Sequence, residues 1–292
     1  MPYTDLELAE VFIKTGELDD ALAALERQLT NLPQDDHARR LRIEVLARMP
    51  DVASLTNALQ DVNALAQQMP ADFMLHSVIL TKLGRDADAL HALVQGCQTY
   101  PDDERLVEHH LQLLKKQGKI DQARGIVAAQ IKIKGDSWRW LQWAGDLAVS
   151  AGDDLAAVAH YDSALTMIQS RYSVQTDQTA RLLSDPAMSD AAAMTIPGVV
   201  ARLLLTRADA CLRLNRLDDA DAGYQRAAML IPNDPMIPFN RGLIALRRSD
   251  LDGAVGLCRP AWIAATPMLQ EQMQRALQAD SIYAPLAARL TL

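Results

Sequence analysis

The chain has 292 residues, 49% of them hydrophobic and 23% charged, with a formal net charge of −8 at pH 7. That composition is globular rather than disordered, and the acidic balance speaks against a general nucleic-acid binder, which needs a basic face to displace counterions. No run approaches the roughly 18 apolar residues of a membrane span. The opening MPYTDLELAEVF has acids where a secretory signal has a basic region and an apolar run.

Aromatics make up only 4% of the chain, and Ala and Leu dominate. Both lose little entropy in a helix, so the composition favours helix. Cys97, Cys211 and Cys258 are far apart, odd in number and set in apolar helical patterns. A disulfide framework or a Cys metal site pairs its cysteines at short spacing. They read instead as buried thiols in a reducing cytoplasm. The Arg and Ala usage hints at a GC-rich bacterial source.

Taken in order, the chain repeats one plan. Repeat one, about 2–35, has a turn at Gly16, acids at Asp19 and Asp20, an Ala at Ala21 and a stop at Pro33. Repeat two, about 36–70, carries Ala58 and a longer turn near Met49-Pro50-Asp51, and is expected to stop at Pro70. Repeat three turns at Gly84 and runs to Pro101, and repeat four turns at Gly118 and runs to about Lys134. Repeat five, about 135–169, turns at Gly152. A segment over 170–198 leaves the register; its first part can prolong the second helix of repeat five, and Ser184–Asp190 reads as a loop. Repeat six turns at Asn215 and stops at Pro232, and repeat seven turns at Ser249 and ends near Thr266. Pro267–Ala279 is a further amphipathic helix, and Ser281–Leu292 is a short turn or helix folded back.

The register is regular. Ala21, Ala58, Ala89, Ala123, Ala157, Ala220 and Ala254 are spaced 37, 31, 34, 34, 63 and 34 apart, so two irregular steps average 34 and one step holds an insertion. Each landmark has a cause. Gly or Asn adopts the left-handed cap that ends a helix, acids suit the next helix's N-terminus, a small Ala lets two helices cross closely, and Pro cannot continue a helix. Each unit is therefore two antiparallel helices.

A 34-residue helix-turn-helix period with these landmarks resembles the tetratricopeptide repeat family. Ala9, Ser77, Gly145, Ala208 and Gly242 fill the family's small first-helix position, and Tyr161 and Tyr224 its large second-helix position. Leu25, Val62, Leu93, Val127 and Cys258 stand there in the other repeats, which makes the array divergent. The resemblance implies an all-α, right-handed α-solenoid of about seven such repeats with a C-terminal capping helix. Its domains are then repeats one to five at 1–169, an insertion at 170–198, repeats six and seven at 199–266, and the cap and tail at 267–292.

No catalytic signature is present: there is no phosphate-cradling glycine loop, no GxSxG, no HExxH and no paired CxxC. No cofactor and no metal is expected. His76 and His110 hold equivalent places in neighbouring repeats, where a satisfied His between helices is the simpler reading than a metal ligand. The resemblance places first-helix side chains on a concave face. These are Arg105, Glu108, Gln112, Lys115 and Lys116 in repeat four, Arg139, Gln142 and Asp146 in repeat five, and Arg202, Asp209, Arg213 and Arg247 in repeats six and seven. Their excess of cations suits an acidic peptide, and equally describes a solvated helix face. Trp138, Trp140 and Trp143 cluster at the start of repeat five; Trp140 and Trp143 are candidate aromatic anchors, or all three pack between repeats.

The expected function is a non-enzymatic, cytoplasmic protein-interaction scaffold that binds a peptide or protein segment in the groove, without nucleic acid or membrane insertion. The alternatives are a scaffold that assembles with further copies of itself, and a small-molecule-sensing or enzyme-associated repeat protein.

Overall fold

The structure is a computed structural model that describes residues 3–135, 137–172 and 196–290. These residues form two compact units, Met1–Lys119 and Ile120–Leu292. Among the described residues the regular structure is entirely helical.

The first unit holds α1 (Asp5–Thr15), α2 (Leu18–Asn31), α3 (Asp36–Arg48), α4 (Val52–Asn63), α5 (Pro70–Lys82), α6 (Asp86–Thr99) and α7 (Glu104–Lys116). The second holds α8 (Ile120–Lys134), α9 (Trp138–Ser150), α10 (Asp154–Tyr172), α11 (Ile196–Arg213), α12 (Leu217–Leu230), α13 (Met236–Arg247), α14 (Leu251–Ala264), α15 (Pro267–Gln278), a 3₁₀ turn at Ser281–Tyr283 and α16 (Ala284–Leu290). Consecutive helices pair as hairpins, α1 with α2, α3 with α4, α5 with α6, α9 with α10, α11 with α12 and α13 with α14.

The sequence landmarks act as their chemistry requires. Gly16, Gly84, Gly118 and Gly152 all have positive φ, as do the non-glycine turn residues Asn215 and Ser249. All seven register alanines, from Ala21 to Ala254, are completely buried. The seven residues four positions further on, Leu25, Val62, Leu93, Val127, Tyr161, Tyr224 and Cys258, are buried with them. A side chain at the small first-helix position has no room in two hairpins. A Cβ on Gly145 would lie 2.5 Å from the Tyr161 ring, and one on Gly242 would overlap the Cys258 sulfur. The Cys211 and Cys258 thiols are buried, while Cys97 is half-buried.

Two boundaries differ from the sequence reading. Pro33, Pro101 and Pro232 follow the ends of α2, α6 and α12, but Pro70 is the first residue of α5, not the stop of α4. A proline at that position loses no hydrogen bond, because the first helical N–H has no partner anyway. The connection from α4 is instead tied down by side chains. Arg40 donates to the Gln67 carbonyl at 2.7 Å, and the Tyr100 hydroxyl donates to the Gln68 carbonyl at 2.7 Å. The start of the off-register segment does prolong α10, to Tyr172, and α11 begins at Ile196. The loop expected at Ser184–Asp190 lies outside the described residues.

The C-terminal helices close the second unit. Met273 and Leu277 of α15, Tyr283, and Leu286 and Leu290 of α16 join one buried cluster with Phe239, Leu243 and Leu246 of α13 and Ala254 and Cys258 of α14. A terminal repeat needs such a cover for its apolar face.

Candidate functional site

In the first unit, the first helices of successive hairpins, α3, α5 and α7, neighbour one another. Between α3 and α5 lies a groove of about 510 Å³. Its floor is apolar, with Ile43 and Ala47 of α3 and Val62 of α4 buried beneath it. Met74, Leu75 and Val78 of α5 form one wall, and Val78 is 37% exposed. Arg40, Glu44, Arg48 and Asp72 supply the charge.

Half of that charge is internally satisfied. Asp72 is buried and accepts both carboxylate contacts from Arg40 Nε at 3.1 Å, and its Oδ2 also accepts the Met69 N–H at 2.7 Å. Burying a carboxyl group is costly unless hydrogen-bond donors surround it in this way. Arg42, turned the other way, makes a two-pronged contact to the buried Asp61 at 2.6 and 2.5 Å. Glu44 and Arg48 are exposed and have no ion-pair partner among the described residues.

The groove was reachable by register from the residues singled out in repeat four. Stepping back 34 positions from Glu108, Gln112 and Lys116 gives Met74, Val78 and Lys82, and again gives Arg40, Glu44 and Arg48. Five of these six earlier residues line the groove. Lys82, the sixth, extends from the end of α5 and donates to the Ala47 carbonyl at the end of α3, at 2.7 Å. The same register holds a cation at the end of nearly every first helix: Lys14, Arg48, Lys82, Lys116, Arg213 and Arg247. Cations there complement the negative end of the helix dipole, which accounts for the basic column without a ligand.

The repeat-four residues follow on α7. Gln112, Lys115 and Lys116 are exposed, with no partner among the described residues. Arg105 is exposed and donates to the Asp103 cap at 3.2 Å. His109 Nε2 lies 3.0 Å from the Ser77 hydroxyl, and His110 is buried. Burial pushes the imidazoles of His76, His109 and His110 below their ordinary value. No group of three or more His, Cys, Asp or Glu able to hold a metal occurs among the described residues.

In the second unit the candidate residues are drawn into the structure. The Tyr161 hydroxyl on α10 donates to Asp146 of α9 at 2.7 Å. One hairpin on, the Tyr224 hydroxyl donates to Asp209, which also accepts Asn240 at 3.3 Å. Burial lifts the Asp209 carboxyl above the usual carboxylate range, against the pull of the Tyr224 hydrogen bond and the Arg213 charge. Arg213 contacts Asp154 through Nε at 2.9 Å and Nη2 at 2.7 Å. Arg247 donates to the Leu212 carbonyl at 2.6 Å, lies 3.8 Å from Asp280 and sits 5.4 Å above the Tyr283 ring. Arg139 packs over the Trp138 ring at 5.5 Å. Gln142 and Trp143 are half-buried, and Arg202 is exposed. Trp140 is completely buried, and no partner for its indole N–H is found among the described residues. A side chain with no exposure touches no ligand, so of the two candidate anchors only Trp143 retains accessible surface. The sequence signal for this network is an aspartate fifteen residues before a tyrosine in both repeats five and six.

No helix among the described residues is long and apolar enough to cross a membrane. No protein-family model matches the chain, and no curated protein matches it. Solved structures do. A tetratricopeptide repeat protein from Parabacteroides merdae superposes with a TM-score of 0.58 at 14% identity, covering 96% of this chain and 97% of that one. The C-terminal part of a TPR repeat-containing protein from Cytophaga hutchinsonii gives 0.59 at 12% identity, over 88% and 92%. PilW, a type IV pilus biogenesis factor, gives 0.50 at 13% identity, over 78% and 92%. The chain has the tetratricopeptide-repeat fold.

Proposed function

We propose that this chain is a non-enzymatic protein-interaction scaffold that holds a peptide or protein segment against its first helices. The observation that carries the reading is the groove between α3 and α5. It has a buried apolar floor, an exposed Val78 on its wall, and unpaired Glu44 and Arg48 at its rim. A groove of several hundred Å³ with an apolar base and few polar groups has the form of a ligand site. The exposed Lys115 and Lys116 of α7 extend the same face.

Selection from a random-peptide display library on the full chain tests this. Enriched peptides are expected to lose binding to Val78→Glu and to keep it on Ile263→Glu, an exposed position on the second helix α14. Peptides that bind both variants equally well would place the interaction elsewhere and overturn the reading.

A further inference from the structure

The first helix of the array lacks a neighbour that every later first helix has. α3, α5, α7, α9, α11 and α13 each pack against the second helix of the preceding hairpin, whereas α1 has no such neighbour among the described residues. Register defines the face concerned. Val45, Ile79, Leu113, Leu147, Ala210 and Ile244 hold one position on the six later first helices, and none is more than 8% exposed. Val11 holds that position on α1 and is 47% exposed. Seven positions earlier the six later helices are again buried, from Ala38 to Ile237, while Thr4, the cap of α1, is exposed. Leu8, on the same side of the helix, is half-buried. α1 thus carries the face that elsewhere in the chain receives a helix.

The charges beside Val11 describe the helix that fits there. Glu7, Val11 and Lys14 stand at i, i+4 and i+7, along one side of α1. Glu7 and Lys14 are both exposed, and Lys14 has no ion-pair partner among the described residues. Glu7 accepts the Thr4 N–H at 2.8 Å and the Thr4 hydroxyl at 3.0 Å, both through Oε2, which leaves Oε1 to accept from elsewhere. Two such helices laid antiparallel about a two-fold axis beside Val11 bring each Glu7 opposite the other copy's Lys14. The ion pair is then made twice, with the two Val11 side chains meeting at the axis. A parallel pairing would set Glu7 against Glu7 and Lys14 against Lys14. Flanking charges of this kind fix the orientation of paired helices, and a two-fold contact requires a self-complementary surface.

We propose that α1 is a self-association surface: a second copy of this chain docks its own α1 antiparallel on the Val11 face, with Glu7 of each copy paired to Lys14 of the other. The inference uses no residue of the α3–α5 groove and stands apart from the reading of that groove. Two helices of about 16 Å meet over less than the roughly 1,200 Å² at the lower end of standard interfaces. The dimer therefore forms in the micromolar range and dissociates on dilution.

Sedimentation velocity on the full chain, over a micromolar concentration series, tests this. The sedimentation coefficient is expected to rise with concentration from monomer to dimer. Val11→Glu should stay monomeric throughout, and Val78→Glu, in the groove, should dimerise like the unaltered chain. Lys14→Glu and Glu7→Lys each set like charges against one another twice, and each is expected to weaken self-association about tenfold. Thr4 keeps its bond from the backbone N–H at position 7 in Glu7→Lys, and Lys14→Glu leaves the cap untouched, so α1 persists in both. Mixed in equal amounts, these two variants form a heterodimer with opposite charges at both places, and the affinity should return to that of the unaltered chain. A chain that stays monomeric across the series, a Val11→Glu variant that still dimerises, or a mixture that recovers nothing overturns the proposal.

Discussion

The same first-helix column runs through both units and ends in opposite states. In the first unit it reads Glu44, Val78, Gln112, and all three are exposed. In the second it reads Asp146, Asp209, Leu243; the two acids are held by Tyr161 and Tyr224, and Leu243 is buried under the C-terminal helices. The difference traces to the partner position on the second helix. Val62, Leu93 and Val127 offer Glu44, Val78 and Gln112 no hydrogen bond, whereas a tyrosine hydroxyl at that place in repeats five and six reaches across the hairpin and holds the acid of the column. An aliphatic residue at that place therefore leaves the face available to a ligand, and a tyrosine recruits it into the fold.

The tightest test of this contrast is steric. Gly145→Val places a branched side chain against the Tyr161 ring, where even a Cβ would lie 2.5 Å away. The expected cost is on the order of 3 kcal/mol, the upper end for overpacking a filled core. Hydrogen exchange should show α9 and α10 opening first, with α1 to α6 little changed. Uniform loss of protection would mean that the two units do not differ in this way.

Next in size is the hydroxyl itself. Tyr224→Phe removes the hydroxyl donor to Asp209 and leaves a half-buried carboxyl with Asn240 alone at hydrogen-bond distance among the described partners. The loss should be about 1–3 kcal/mol in chemical denaturation. The matching change in the first unit, Leu93→Ala, costs packing but leaves no polar group stranded, so a double mutant with Val78→Ala, its register partner, should show the smaller coupling. Tyr224→Phe combined with Asp209→Leu should be clearly non-additive.

Asp209 of the second unit answers pH with the opposite sign to the buried histidines, which are three in the first unit and His160 in the second. His76, His109 and His110 of the first unit have folded values lowered by burial from an ordinary 6.5. A lowered base is neutral when folded, so the unfolded state binds the extra protons, and stability is lost as pH falls below about 6.5. Asp209 of the second unit is raised from an ordinary 3.8. A raised acid binds more protons when folded, so its contribution is largest at low pH and is lost as pH rises through its folded value. Asp209→Asn keeps the acceptor for Tyr224 and removes the charge. It should stabilise the chain at neutral pH, with the gain shrinking toward about pH 4. Hydrogen exchange corrected for intrinsic rates should show α5 and α7 loosening between about pH 7 and pH 5. A destabilised Asp209→Asn at neutral pH would mean that Arg213 outweighs burial.

Much of the fold could be read from the sequence because its signals are local. The six turn residues have positive φ whichever partner they face, and the seven alanines are buried because a 34-residue period fixes which side of each helix meets the next. Pro70 was misread because proline is tolerated both after a helix and at its first position, and spacing alone does not separate the two. The site was less legible because its contacts are not local. Arg213 meets Asp154 across 59 residues, with the off-register segment between them. Arg247 is held by a carbonyl 35 residues back. Register placed these cations on the expected helices, but their partners decide which of them a ligand can reach. The open groove lies in repeats two and three, at positions the same register designates.

The smallest expected effect concerns the turns. The first unit uses Gly16, Gly84 and Gly118 in the left-handed conformation, whereas the second uses Gly152, Asn215 and Ser249. Ser249 adopts φ 65° with a Cβ in place, a conformation that costs L-residues roughly 1 kcal/mol and that serine does not offset locally. Ser249→Gly removes that strain but adds freedom to the unfolded chain, so the net gain should be about 0.5 kcal/mol. Asn215→Gly should gain less, since asparagine tolerates this region better than serine. The reverse change in the first unit, Gly84→Ser, should lose about 1 kcal/mol, because nothing crowds that Cβ and backbone strain is the whole effect. Paired denaturation curves for the three variants decide the point. A gain at Ser249 no larger than at Asn215 would mean that the turn before α14 is relaxed despite its φ, and that the turns do not distinguish the two units.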